Sequence, residues 1–122
     1  AELWLDGGHN PAAGLAVAGA IERLPPRPLH LVVGMLRTKD VAGFLRPLAG
    51  VAASLHGVDI PGEAATLSAA ETVAAAQALG LAARPAADVA DAVARIAAST
   101  PDCRILICGS LYLAGRVLRE NG

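Results

Sequence analysis

Six consecutive residues near the start, Asp6-Gly7-Gly8-His9-Asn10-Pro11, combine a carboxylate, two glycines, an imidazole and an amide. They stand between an apolar stretch, Leu3-Trp4-Leu5, and a long run rich in alanine. That is the handover from a strand to a helix, and ligands of open α/β sheets bind beyond the carboxyl ends of strands. A purely structural loop there needs glycines and a cap; it has no evident need for both an acid and a histidine. Similar residues follow other apolar stretches: Gly34-Met35-Leu36-Arg37-Thr38-Lys39-Asp40, Ile60-Pro61-Gly62-Glu63 and Gly109-Ser110-Leu111-Tyr112. In a parallel sheet these loops share one edge.

Several chemistries are absent from the pattern. Gly7-Gly8 lacks the third glycine of a dinucleotide fingerprint, and there is no GxxxxGK[ST] phosphate loop. No GxSxG nucleophile elbow occurs. Net charge is −1, with a single Trp, Tyr and Phe, which argues against a phosphate-tracking or base-stacking surface and hence against nucleic acid as a partner. No apolar run reaches the roughly 18 residues of a membrane span, and nothing resembles a signal peptide. Cys103 and Cys108 lie five apart on one strand-like stretch, facing opposite sides and too far apart to bond. They read as reduced buried thiols of a cytoplasmic protein, with no metal role.

The elements that must position these residues alternate regularly. Strands are expected at Glu2–Leu5, Leu29–Val33, Val51–Val58, Ala82–Arg84 and Arg104–Cys108. Asn10 caps a first helix, with Pro11 at its first position, running to about Leu24 before Pro25-Pro26. Asp40 caps a second helix through Leu45 and Leu48, which stops near Gly50. Ser68 and Glu71 form a capping box for a third, ending at Leu79-Gly80. Asp88 caps a fourth carrying Val89, Val93 and Ile96. Gly109-Ser110 turns into a fifth, Leu111 to about Arg119. Continuous apolar strands such as Leu31-Val32-Val33 imply burial on both faces. The expected fold is α/β: a three-layer α/β/α sandwich with a mostly parallel sheet, in one domain of 122 residues. Mean hydropathy of +0.49 and a size that buries roughly 65% of the unfolded surface leave no need for a staple. His30 and His56 flank or lie in strands without a partner cluster and read as structural. Arg104, Arg116 and Arg119 read as surface charge, and Tyr112 as packing for the last helix.

Taken together, the motifs carry a resemblance. Leu5-Asp6-Gly7-Gly8-His9-Asn10-Pro11 resembles the DGAHNP motif of folylpolyglutamate synthase/dihydrofolate synthase. Gly34 to Asp40 is similar to that family's GMLxDKD loop, and Ile107 to Gly115 to its xTGSLYLxG segment. The three occur in family order and cover essentially the whole chain. The resemblance implies a Rossmann-like domain of the Mur ligase C-terminal type, spanning residues 1–122. It also implies a ligase that uses ATP and Mg2+ to activate a folate or dihydropteroate carboxylate as an acyl phosphate, which the amine of L-glutamate attacks. Carried over by residue, Asp6 would touch the nucleoside side of ATP, while His9 and Ser110 would line the glutamate site. Asn10, Lys39 and Gly109 could line it further, Asn10 reading more simply as a cap and Lys39 as a solvated charge. Gly8 replaces the family's usual alanine, a change expected to loosen the loop, and Thr38 replaces an aspartate. The phosphate-holding N-terminal domain, its magnesium ligands and a preceding antiparallel strand would lie ahead of Ala1. The chain therefore reads as a C-terminal piece that is inactive alone. Two rivals are a peptidoglycan-precursor ligase domain, set apart by the closing Gly-Ser-Leu-Tyr-Leu, and a non-catalytic α/β interaction domain.

Overall fold

A computed structural model describes residues 2–8 and 10–109 of the chain. Among the described residues five strands and four helices alternate: β1 (Glu2–Leu5), α1 (Pro11–Glu22), β2 (Leu29–Val33), α2 (Val41–Ala49), β3 (Ser54–Gly57), α3 (Ala69–Ala78), β4 (Ala83–Pro85), α4 (Val89–Ser99) and β5 (Arg104–Cys108). The strands form one sheet in the order β1-β5-β2-β3-β4, and every pairing is parallel. The α/β sandwich read from the sequence is thus the observed fold. The helix expected from Leu111 to Arg119, with Tyr112, Arg116 and Arg119, lies outside the described residues.

Strand pleating divides the core in two. Leu29, Leu31, Val33, Leu55, Leu106 and Cys108 pack against α1, α2 and α3 through Ala18, Phe44, Leu45, Leu48 and Ala76. Val32, Ile105 and Ile107 point the other way and pack with Ala92 and Ile96 of α4. Cys103 belongs to this second core and Cys108 to the first, so the two free thiols are separated by the sheet. Edge strand β1 is different, with Leu3, Trp4 and Leu5 at 51%, 40% and 38% exposure.

Helix starts follow local chemistry. Asn10 Oδ1 accepts from the Ala13 amide at 2.8 Å, and Asp40 Oδ1 from Gly43 at 2.9 Å. Asp88 Oδ1 accepts from Asp91 at 2.7 Å, and Ser68 and Glu71 complete the reciprocal box. Each meets an amide that the first helical turn leaves unpaired.

Three expectations need correction. The third strand starts at Ser54, not Val51, because the Val51 and Ala52 amides still bond back to Leu48 at the end of α2. The first helix stops at Glu22, and a tighter turn carries the chain to Leu24 through bonds from Arg23 to Ala20 and from Leu24 to Ile21. Arg104 is not surface charge: it is 2% exposed. Its Nε donates to Glu2 Oε1 at 2.9 Å and its guanidinium donates to the Pro25 carbonyl at 3.1 Å. The hydrogen bond from Arg104 holds the Glu2 carboxyl below its ordinary range.

Candidate functional site

The loop after β1 is short. The Asp6 amide continues the sheet by donating to the Ile107 carbonyl at 3.0 Å. Its half-buried side chain turns back on the loop, where Oδ1 accepts from the Gly8 amide at 2.6 Å. This is the turn-capping role that an aspartate plays beside glycines. Asn10 serves as the cap of α1. Gly8 is closely surrounded. A Cβ there would lie 2.7 Å from the Ala13 Cβ and 2.8 Å from Asp6 Oδ1, so the glycine sits in a space with no room for a methyl group.

The loops after β2 and β5 meet this one. The Gly109 amide donates to the Gly8 carbonyl at 3.1 Å, and the Gly34 amide to the Cys108 carbonyl at 3.3 Å. Gly109 has φ +104°, and a Cβ on it would lie 2.6 Å from the Gly34 carbonyl oxygen. Only a glycine fits such a backbone and such an approach. Three motif glycines from three loops therefore converge at the carboxyl edge of the sheet. Burial, reinforced by the charge of Asp6, pushes the Cys108 thiol above its ordinary range, which keeps it an unreactive thiol beside the site.

The third loop, residues 34–40, is held from the other side. Leu36 forms an isolated antiparallel bridge with Thr66. The Arg37 amide donates to Ala65 at 2.7 Å, and the Leu67 amide to Met35 at 2.9 Å. The Arg37 guanidinium then grips Glu71 with two bonds of 2.8 Å. Glu71 also accepts from the Ser68 amide at 3.0 Å. The Arg37 hydrogen bonds, with help from Ser68, lower its carboxyl from 4.5 to about 2. Arg37 and Thr66 are structural determinants of this edge that the sequence reading passed over. Glu71 was read only as a helix cap, and the one available signal was the placement of Arg37 inside a motif loop. Lys39 is exposed at the same edge, with no ion pair among the described residues.

Asp6, Asn10 and Gly109 are thus brought together, with Lys39 on the neighbouring loop. His9 and Ser110 lie outside the described residues. Among the described residues no group of three or more His, Cys, Asp or Glu side chains could hold a metal ion. Asp6 is the one carboxylate among the described residues of the β1 loop, so that loop does not by itself fit magnesium. No helix among the described residues is long and apolar enough to cross a membrane.

An all-parallel α/β domain with glycine-built loops at its carboxyl edge matches a known architecture, and the chain belongs to the family described as "Mur ligase, glutamate ligase domain", which matches residues 1–111. Within that class it is similar to folylpolyglutamate synthase of Lacticaseibacillus casei, at 30% identity over 113 residues, covering 93% of this chain and 25% of that protein. Among solved structures it is similar to E. coli FolC in complex with DHPP and ADP, with TM-score 0.85 and 26% identity, over 99% of this chain and 29% of that one. It is also similar to a bifunctional folylpolyglutamate synthase/dihydrofolate synthase with Mn, AMPPNP and L-glutamate bound, with TM-score 0.82 and 26% identity, over 99% and 30% of the two chains. The chain spans between a quarter and a third of the length of these relatives.

Proposed function

We propose that this chain is the glutamate-receiving, C-terminal domain of a cytoplasmic ATP-dependent ligase that joins L-glutamate to dihydropteroate or a folate. The observation that carries the reading is the junction of Gly8, Gly34 and Gly109, which draws the three motif loops to one edge of the sheet. The family match and the ligands named for the similar enzymes, ADP with DHPP and AMPPNP with L-glutamate, support it.

In the proposed reaction the substrate carboxylate takes the terminal phosphoryl group of ATP, releasing ADP. The glutamate amine then attacks the acyl carbon, the C–N bond forms, and phosphate leaves with the carboxylate oxygen as the amine loses a proton. This chain would contribute position rather than acid or base chemistry. Asp6 would offer a carboxylate oxygen to the ribose, and His9 and Ser110 would hold the amino acid. Holding amine and acyl phosphate in line can supply up to roughly 7–11 kcal/mol of the barrier. Magnesium and the phosphates are assigned to a preceding N-terminal domain, and the chain alone is expected to hydrolyse no ATP.

The test is steady-state kinetics on the full-length protein with dihydropteroate, ATP and L-glutamate. His9→Ala and Ser110→Ala are expected to raise KM for glutamate and lower kcat while leaving folate affinity nearly intact. Asp6→Ala is expected to act on ATP. Unaltered glutamate kinetics in both of the first two variants would remove the assignment. Turnover with L-alanine or a diamino acid instead of glutamate would move the chain to a peptidoglycan-precursor ligase.

A further inference from the structure

At the opposite rim of the sheet a cavity of about 600 Å³ opens between the strand starts and the carboxyl end of α4. His30 of β2, Ser54 and His56 of β3, Arg84 of β4, and Arg95 and Ser99 of α4 line it. Register assembles the cluster, because His30 lies level with Ser54, and His56 with Arg84. Each stands two residues from a member of the α4-side core, His30 from Val32, His56 from Val58 and Arg84 from Ala86. Alternation therefore puts them on that face, beyond the area α4 covers.

The polar floor is incompletely satisfied. His56 is 7% exposed. Its Nδ1, and Nε2 of His30, are buried without a hydrogen-bond partner among the described residues. Nδ1 of His30 lies 2.6 Å from Ser54 Oγ, so the ring is already oriented. Two exposed guanidiniums stand at the mouth. Arg95 pairs with Asp91 of its own helix at 3.1 Å, whereas Arg84 has no ion pair among the described residues. Among the described residues no carboxylate lines the cavity. The carboxyl end of α4 contributes about half a negative charge that fades within a turn, less than the charge of Arg84, which, unlike Arg95, is not offset by Asp91.

We propose that this cavity binds a phosphate-type oxyanion, either the free ion or a small phosphomonoester, held by Arg84 and Arg95 at its mouth and by His56 and His30 at its floor. The site stands apart from the ligase reading, since it uses the other rim of the sheet and none of the motif loops. Binding takes up a proton. Burial, then the charges of Arg84, His30 and Arg95, keep His56 below its ordinary 6.5, opposed by Asp91, and burial does the same to His30. An anion among them reverses the sign of the local potential and favours imidazolium.

The experiment uses the intact protein with 13C-labelled histidine, the His30 and His56 resonances being assigned through His30→Gln and His56→Gln. Inorganic phosphate, sulfate and glycerol phosphate are titrated against chloride at matched ionic strength. Saturable shifts of both ring signals are expected, together with a higher apparent pKa for each in sulfate, whose charge is constant over the range. Arg84→Ala, at an exposed position, should weaken binding roughly tenfold. Tighter binding of glycerol phosphate than of phosphate would identify a phosphomonoester, and equal binding the free ion. No saturable shift up to about 50 mM, the same shift in chloride, or unchanged affinity in Arg84→Ala would overturn the proposal.

Discussion

The Gly109 amide donates to the Gly8 carbonyl at 3.1 Å, which fastens the turn after the last strand to the turn after the first. The bond exists because Gly109 adopts φ +104° and passes beside the Gly34 carbonyl. Gly109→Ala should therefore strain the backbone and push three loops apart. A loss of about 2–4 kcal/mol is expected from conformation and crowding together. Denaturant unfolding of the intact protein measures it, and a change below about 0.5 kcal/mol would show that the junction tolerates a side chain.

Two glycines of α1 provide a matched pair. A Cβ on Gly14 would run into the backbone carbonyl of Phe44 on α2, while one on Gly19 would meet nothing within 4 Å. Gly14→Ala is expected to cost about 1–3 kcal/mol by overpacking. Gly19→Ala should add about 0.5–1 kcal/mol, because alanine forfeits less chain entropy in a helix. Equal effects from the two variants would contradict the close approach of α1 and α2.

The Arg37–Glu71 clamp makes a pH prediction. The Glu71 carboxyl titrates at about 2 in the fold against an ordinary 4.5, so the unfolded chain binds the proton more readily between those values. Stability from the pair is fully present above pH 4.5 and is lost as pH falls toward 2. Both groups are solvent-exposed, so the effect should weaken in salt. In Arg37→Met, carboxyl 13C titration should place Glu71 close to its ordinary value. A Glu71 that still titrates near 2 would mean that Ser68 alone lowers it.

His30 and His56 act with the opposite chemistry but the same sign. Burial depresses both imidazoles in the folded protein. As pH falls below the unfolded value of 6.5 the unfolded chain takes up protons that the fold resists. Stability should be level above about pH 6.5 and decline below it. His56→Gln should flatten that decline, and a slope identical to that of the parent would show that His56 does not carry it.

Local signals explain what the sequence disclosed. Asn10, Asp40, Ser68 and Asp88 act on amides three residues away, so their roles follow from spacing alone. β2 and β5 are marked by the apolar runs Leu31-Val32-Val33 and Ile105-Leu106-Ile107. Val51 and Ala52 misled because apolar character does not distinguish a strand from the end of a helix packed on the core. Long-range pairing was the other barrier. Glu2 meets Arg104 across 102 positions, and no local pattern foretells that an arginine so placed is buried. His30 and His56 looked solitary because their neighbours Ser54 and Arg84 are supplied by strand register. At the candidate site Asp6, Asn10 and Gly109 were legible as loop and cap residues. The glycine junction was not, since it depends on three segments arriving together.

That junction has a bearing on inheritance. Gly109 bonds to Gly8 and passes against the Gly34 carbonyl, so a change in any of these loops alters the room left at the junction. Substitutions there should show strong epistasis: a residue tolerated in one homologue becomes harmful when transplanted singly. Recombination between homologues should succeed when all three loops travel as a block and fail when the crossover separates them.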